Sequence, residues 1–115
     1  MKRLLILSAA MTLFSISALA EKWTGYISDE KCAVSGSKAA KASEWVNPKA
    51  FEGCAKKCVK AGDAIVFVTE DNKILRFEAA SIEKAAAHVG HKVSLTGKVE
   101  NDKLQIEKIE AIPMP

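Results

Sequence analysis

The sequence lacks most of the signatures that announce an activity. It contains no G-x-x-x-x-G-K-[ST] loop, no G-x-G-x-x-G turn and no H-E-x-x-H pair, so the usual grounds for expecting a nucleotide cradle or a zinc-protease centre are missing. Only two histidines occur, His88 and His91, and no Ser or Asp sits at a recognisable motif spacing to build a nucleophile and base from them. No internal repeat is found. The three cysteines do not form the C-x-x-C spacing of thioredoxin-type redox sites, which tells against an oxidoreductase of that kind. No catalytic residue is expected, and the chain does not read as an enzyme.

Surplus charge is also scarce once the first segment is set aside. Residues 1–20 carry two of the 17 Lys and Arg and none of the 14 Asp and Glu, leaving 15 against 14, a formal +1. A near-neutral domain lacks the positive field that phosphate-backbone binding draws on, so nucleic acid is not an expected partner.

What is present begins with a secretory pattern. Lys2 and Arg3 precede an apolar run over residues 4–19, broken only by Ser8, Thr12, Ser15 and Ser17, and Ala18, Leu19 and Ala20 supply an Ala-x-Ala cleavage site. This predicts a signal peptide over residues 1–20. An anchoring helix needs about 20 apolar residues with fewer interruptions, so no stable membrane span is expected after cleavage. No Cys follows Ala20, so a lipid anchor is not expected either. The predicted product is exported, periplasmic or secreted, with residues 21–115 forming one small domain. Its cysteines, Cys32, Cys54 and Cys58, would mature in an oxidising compartment, where a disulfide is the default and an odd thiol is left over.

Along the domain, residues 23–28 alternate as a first strand, with Trp23, Gly25 and Ile27 on one face and Thr24, Tyr26 and Ser28 on the other. Residues 29–47 read as an irregular excursion, in which residues 38–45 suit a short helix. Asn47 before Pro48 and the stop at Gly62 predict a helix over residues 48–61, with Phe51, Cys54 and Cys58 on one face, both thiols turned to the body of the protein. Residues 65–69 and 74–77 predict two strands joined by a polar loop. Ser81 is expected to cap a short helix reaching Val89, with Ile82, Ala85, Ala86 and Val89 as its buried stripe. A last hairpin follows: Val93, Leu95, Gly97 and Val99 alternate, Asn101 and Asp102 turn, and Leu104 and Ile106 return. Ile109 breaks the phase, which predicts a bulge or an end of pairing near Glu107 and Lys108. Gly97 within a strand signals a bend or a close approach.

This order predicts a mainly β fold, a small five-stranded OB-like Greek-key barrel with a helix-bearing, Cys-containing insertion after strand 1 and a short helix between strands 3 and 4. The competing arrangement is an open sheet with two helices on one face.

Chemistry centres on the cysteines. Antiparallel pairing of the first two strands would bring Cys32 beside Cys58, the preferred disulfide, leaving Cys54 as an alternative partner or free thiol. Cys54 with Cys58, at i and i+4 on one helix, has poorly converging side chains. The competing reading is a thiolate site of Cys32, Cys54 and Cys58 for Zn or Cu, with Asp29, His88 or His91 as a fourth ligand. The histidines otherwise complement a helix C-terminus. Tyr26, on the polar phase of its strand, is the candidate for an exposed ligand-binding platform, and Trp45 is expected to fold back as a plug.

Three stretches, residues 25–32 (GYISDEKC), 54–68 (CAKKCVKAGDAIVFV) and 90–109 (GHKVSLTGKVENDKLQIEKI), resemble a family of small exported bacterial proteins known only as a domain of unknown function. The resemblance spans residues 23–109 and rests on Asp29 with Cys32, on the Cys54 and Cys58 run, and on the final hairpin. Relatives often carry Asp-Ser-x-Cys-Gly with a His soon after; here Cys32 is followed by no His before His88. The resemblance implies the architecture and no activity. The expected function is an exported binding or structural module of unknown ligand or envelope partner, stapled by a disulfide and without a cofactor; the alternative is a thiolate metal-binding or thiol redox protein.

Overall fold

In a computed structural model, which describes residues 20–114, the alternation of Trp23, Gly25 and Ile27 becomes strand β1, Glu21–Asp29. The predicted signal segment lies outside the described residues apart from Ala20. Among the described residues no helix is long and apolar enough to cross a membrane. After β1 come α1, Glu30–Gly36, a 3₁₀ turn at Ala42–Glu44, and α2, Phe51–Lys60. Strands β2, Ile65–Thr69, and β3, Ile74–Phe77, follow; a 3₁₀ turn at Ala79–Ser81 runs into α3, Ile82–Ala86, and β4, Lys92–Glu100, and β5, Lys103–Ile112, complete the chain.

The fold is mainly β, a mixed sheet of five strands with three helices. The strands close on themselves in the order β1-β2-β3-β5-β4. Pairing is antiparallel except between β3 and β5, where the parallel contact spans only Arg76 with Lys103 and Phe77 with Leu104. Closure removes the unpaired edges that such short strands would otherwise present. Ile27, Phe67, Val93, Leu95 and Leu104 are fully enclosed.

The final hairpin follows its sequence pattern closely. Asn101 and Asp102 take positive φ, 53° and 64°, as a two-residue I′-like turn requires. Thr96 pairs with Lys108 and Gly97 with Ile106, so Glu107 is the extra residue of a bulge. A Cβ on Gly97 would stand 2.1 Å from the carbonyl oxygen of Gln105; glycine is what lets the two backbones meet there.

Other elements differ from expectation. The excursion is not irregular at its start: Asp29 caps α1, a helix missed because only Ala33 of its seven residues is buried and it shows no apolar period. The 38–45 helix is reduced to the 3₁₀ turn at Ala42–Glu44. Helix α2 begins at Phe51, not Pro48, because Asn47 spends its side chain on the amide of Lys49, two residues on, at 2.9 Å, a turn bond that precedes the helix. Ser81 makes no side-chain cap. Its Oγ instead accepts from the amide of Ile106 at 2.8 Å, tying α3 to β5, and Ile82 is exposed rather than buried.

Candidate functional site

The carboxylate of Asp29 and the sulfurs of Cys32 and Cys58 converge where β1 turns into α1 and α2 turns into β2. Three local features bring them together. Asp29 ends β1 in extended conformation, and its Oδ2 accepts from the amide of Cys32 at 2.9 Å, so the cap that starts α1 also places Cys32 one turn away. Asp29 pairs with Ile65 across the β1–β2 ladder, and the amide of Glu30 donates to the carbonyl of Ala64 at 2.9 Å. The connection between α2 and β2 turns at Gly62, φ 107°, which directs Asp63 back towards α1; its Oδ2 accepts from the amide of Lys31 at 2.8 Å.

A carboxylate oxygen of Asp29 and the two sulfurs all lie within 4.8 Å of one another. Asp29 is fully buried, while Cys32 and Cys58 are partly buried. Asp29 Oδ1 is enclosed and has no hydrogen-bond partner. Burial, then the neighbouring Asp29, pushes the Cys32 thiol up to about 12. The same two causes raise Cys58. Asp63 is held below the usual carboxylate range by the amide of Lys31. All three cysteines are free thiols in this structure. On the flank, Arg76 of β3 forks the Glu30 carboxylate and holds it below its ordinary range, pinning α1 to β3.

Two expected members are elsewhere. Cys54 is exposed, not turned inward, because the buried stripe of α2 runs through Phe51 and Ala55 and leaves Cys54 beside it on the solvent side. The histidines gather at the other end of α2: His91 Nε2 lies 3.1 Å from Glu52 Oε2, the two imidazoles are 6.5 Å apart, and Lys56 joins Glu52 at 2.5 Å. Lys56, then His91, holds the Glu52 carboxyl below its usual range. Among the described residues, the potential ligand group is Asp29, Cys32 and Cys58 alone.

Tyr26 also departs from expectation. It is 7% exposed, not an open platform, because α2 covers the outer face of β1 and sets the Phe51 ring edge-on at 5.9 Å. From Gly25 to Asp29 both faces of the strand are buried. Trp45 does fold back, its ring 5.9 Å from Phe51. Beside Tyr26 a cleft of about 480 Å³ is lined by Lys41, Ser43, Glu70, Asp71 and Lys92, with Lys92 Nζ 5.9 Å from the tyrosine centroid.

Sequence reasoning overlooked Asp63 and Asn72. The first follows a helix-stopping Gly and the second sits in a hairpin loop at φ 68°; an Asn at a left-handed position is the one signal that pointed to a structured role. Compared with protein-family models, curated proteins and solved structures, the chain finds no match.

Proposed function

We propose that this chain is a small exported binding module built on an OB-type Greek-key barrel, stapled by a Cys32–Cys58 disulfide, and that it takes up a ligand or envelope partner without catalysing a reaction. The strand order, the parallel β3–β5 contact and the helix between β3 and β4 support the OB assignment. The secretory pattern of residues 1–20 supports export.

The observation that carries the staple is the approach of the two sulfurs to within 4.8 Å. Small side-chain movements bring such a pair to the roughly 2.05 Å of a disulfide. The bond would lock the start of α1 to the end of α2, fastening the excursion to the barrel. Oxidation removes two protons and two electrons from the thiols, and a disulfide donor in the export compartment accepts them. Exposed Cys54 is then the leftover thiol.

For the ligand, the cleft beside Tyr26 offers an aromatic edge with charges of both signs around it, which suits a small zwitterionic or polar molecule. Intact-mass analysis with and without reductant tests the staple. The oxidised protein should be two hydrogens lighter, with peptides holding Cys32 and Cys58 linked and Cys54 open to alkylation; three alkylatable thiols, or a Cys54 linkage, would sink the reading.

A further inference from the structure

The staple leaves one thing unanswered. Closing a bond between Cys32 and Cys58 does nothing for Asp29, whose carboxylate is fully buried with Oδ1 unpartnered. A buried carboxylate is unfavourable unless a positive charge or donors compensate it, and the groups in reach are the sulfurs of Cys32 and Cys58 and the Asp63 carboxyl. We propose that in the reduced protein Asp29, Cys32 and Cys58 bind one thiophilic divalent cation of the Zn(II) type, so that cation and disulfide are mutually exclusive states of one site.

The inference uses the same two sulfurs as the proposed staple, in their other redox state. The geometry suits it. A tetrahedral ion with Zn–S of about 2.3 Å and Zn–O of about 2.0 Å has ligand-to-ligand edges of about 3.5 to 3.8 Å, and the three ligand atoms are already within 4.8 Å of one another. Asp29 is oriented from behind, because the Cys32 amide holds Oδ2 and leaves the carboxylate one oxygen to give. Two thiolates select a soft or borderline ion over Mg(II) or Ca(II). A small cleft lined by Lys31, Cys58, Gly62 and Asp63 gives solvent access, so the fourth position falls to water or to the Asp63 carboxylate. Cys54, exposed and outside the group, takes no part.

The chemistry balances without an oxidant. Two S–H bonds break, two S–metal bonds form, and two protons pass to the buffer. The competing oxidation forms one S–S bond and sends two electrons and two protons to a disulfide such as oxidised glutathione, giving two glutathione thiols.

The test is Co(II) titration of the reduced protein, freed of reductant under argon, followed by displacement with Zn(II). Expected are thiolate-to-Co(II) charge-transfer absorption with tetrahedral visible bands saturating at one equivalent, release of two protons, and loss of the signal on Zn(II) addition. Cys54→Ser should titrate like the parent. Cys32→Ser and Cys58→Ser should lose at least half of the charge-transfer intensity, and Asp29→Asn, which keeps a cap for the Cys32 amide, should keep that intensity but bind at least tenfold more weakly. Protein oxidised with glutathione disulfide should bind none. Because a site variant can fail to fold, the parent protein supplies an independent measure: Zn(II) should slow alkylation of Cys32 and Cys58 at least tenfold and leave Cys54 unchanged. No band at one equivalent, a dependence on Cys54, indifference to Asp29→Asn, or protection of all three thiols alike would overturn the site. Failure here leaves the mass-mapped disulfide standing, and absence of that disulfide leaves the cation site standing, so the two readings fail separately.

Discussion

Trp45 donates its indole N–H to Oδ1 of Asn72 at 2.9 Å, across 27 positions of the chain. Asn72 Nδ2 then donates to the carbonyls of Gly36 at 2.7 Å and Ala39 at 2.8 Å, so one loop side chain holds the excursion at three points. The seat is close: a Cβ on Gly36 would fall 2.4 Å from the Trp45 ring.

Replacing Asn72 by Gly keeps the left-handed backbone at φ 68° and removes all three bonds. The partners left unsatisfied are partly buried, which costs up to about 1 kcal/mol per group, the low end of the buried range, so the urea midpoint should fall and amide exchange should quicken across residues 36–46. An Asn72→Gly protein as stable as the parent would show that the hub carries no stability.

Two glycine-to-alanine changes should move in opposite directions. Gly97→Ala drives a methyl against the Gln105 carbonyl and should destabilise by about 2 kcal/mol, within the overpacking range. Gly53→Ala, inside α2 with nothing within 4 Å of the new Cβ, should stabilise by about 0.5 to 1 kcal/mol. Thermal denaturation of the pair reads the contrast directly.

Oxidised protein should be more stable than reduced protein by about 3 kcal/mol, the chain-entropy value for a loop of this order. Cys54→Ser should leave that difference intact. Cys58→Ser should abolish it. Equilibrium unfolding in urea, with and without reductant, measures all three.

In the reduced, metal-free protein, iodoacetamide should reach Cys54 first, since it is exposed while Cys32 and Cys58 are partly buried. The raised thiol of Cys32 also sets a pH dependence. Its folded value of about 12 lies above the ordinary 9.0, so its contribution is complete below pH 9 and is lost as pH climbs towards about 12. Reduced protein should therefore lose stability through that alkaline window, and Cys32→Ser should lose less; equal losses would exclude Cys32 as the source.

How far the sequence could be read depended on whether each signal was local. The last hairpin was legible down to a break in phase near Glu107, which the structure resolves as a bulge rather than an end of pairing, because alternation, turn residues and the phase break lie within twenty residues of one another. The approach of Cys32 and Cys58 was legible for a similar reason, as it follows from pairing two strands. Tyr26 was misjudged because its strand alternates like a half-exposed one, and only the docking of α2, through Phe51, buries the second face. Cys54 was misplaced because a three-and-four spacing marks a broad stripe, and Ala55 took its centre. Asn72 and Asp63 act on partners 27 to 36 positions away, and such long-range hydrogen bonds leave no periodic trace.

The β3–β5 contact, two paired positions long, has a consequence for how the ring comes together. Its neighbours are hairpins or longer antiparallel ladders, whereas this junction joins segments far apart in sequence and holds little hydrogen bonding of its own. As the shortest ladder of the ring, backed by the Glu78 amide on the Leu104 carbonyl at 3.0 Å and by Phe77 and Leu104 as a hydrophobic latch, it is where the ring is expected to open first. A breach there would briefly give the molecule two sticky ends, so the hazard of self-association is concentrated in a single short joint.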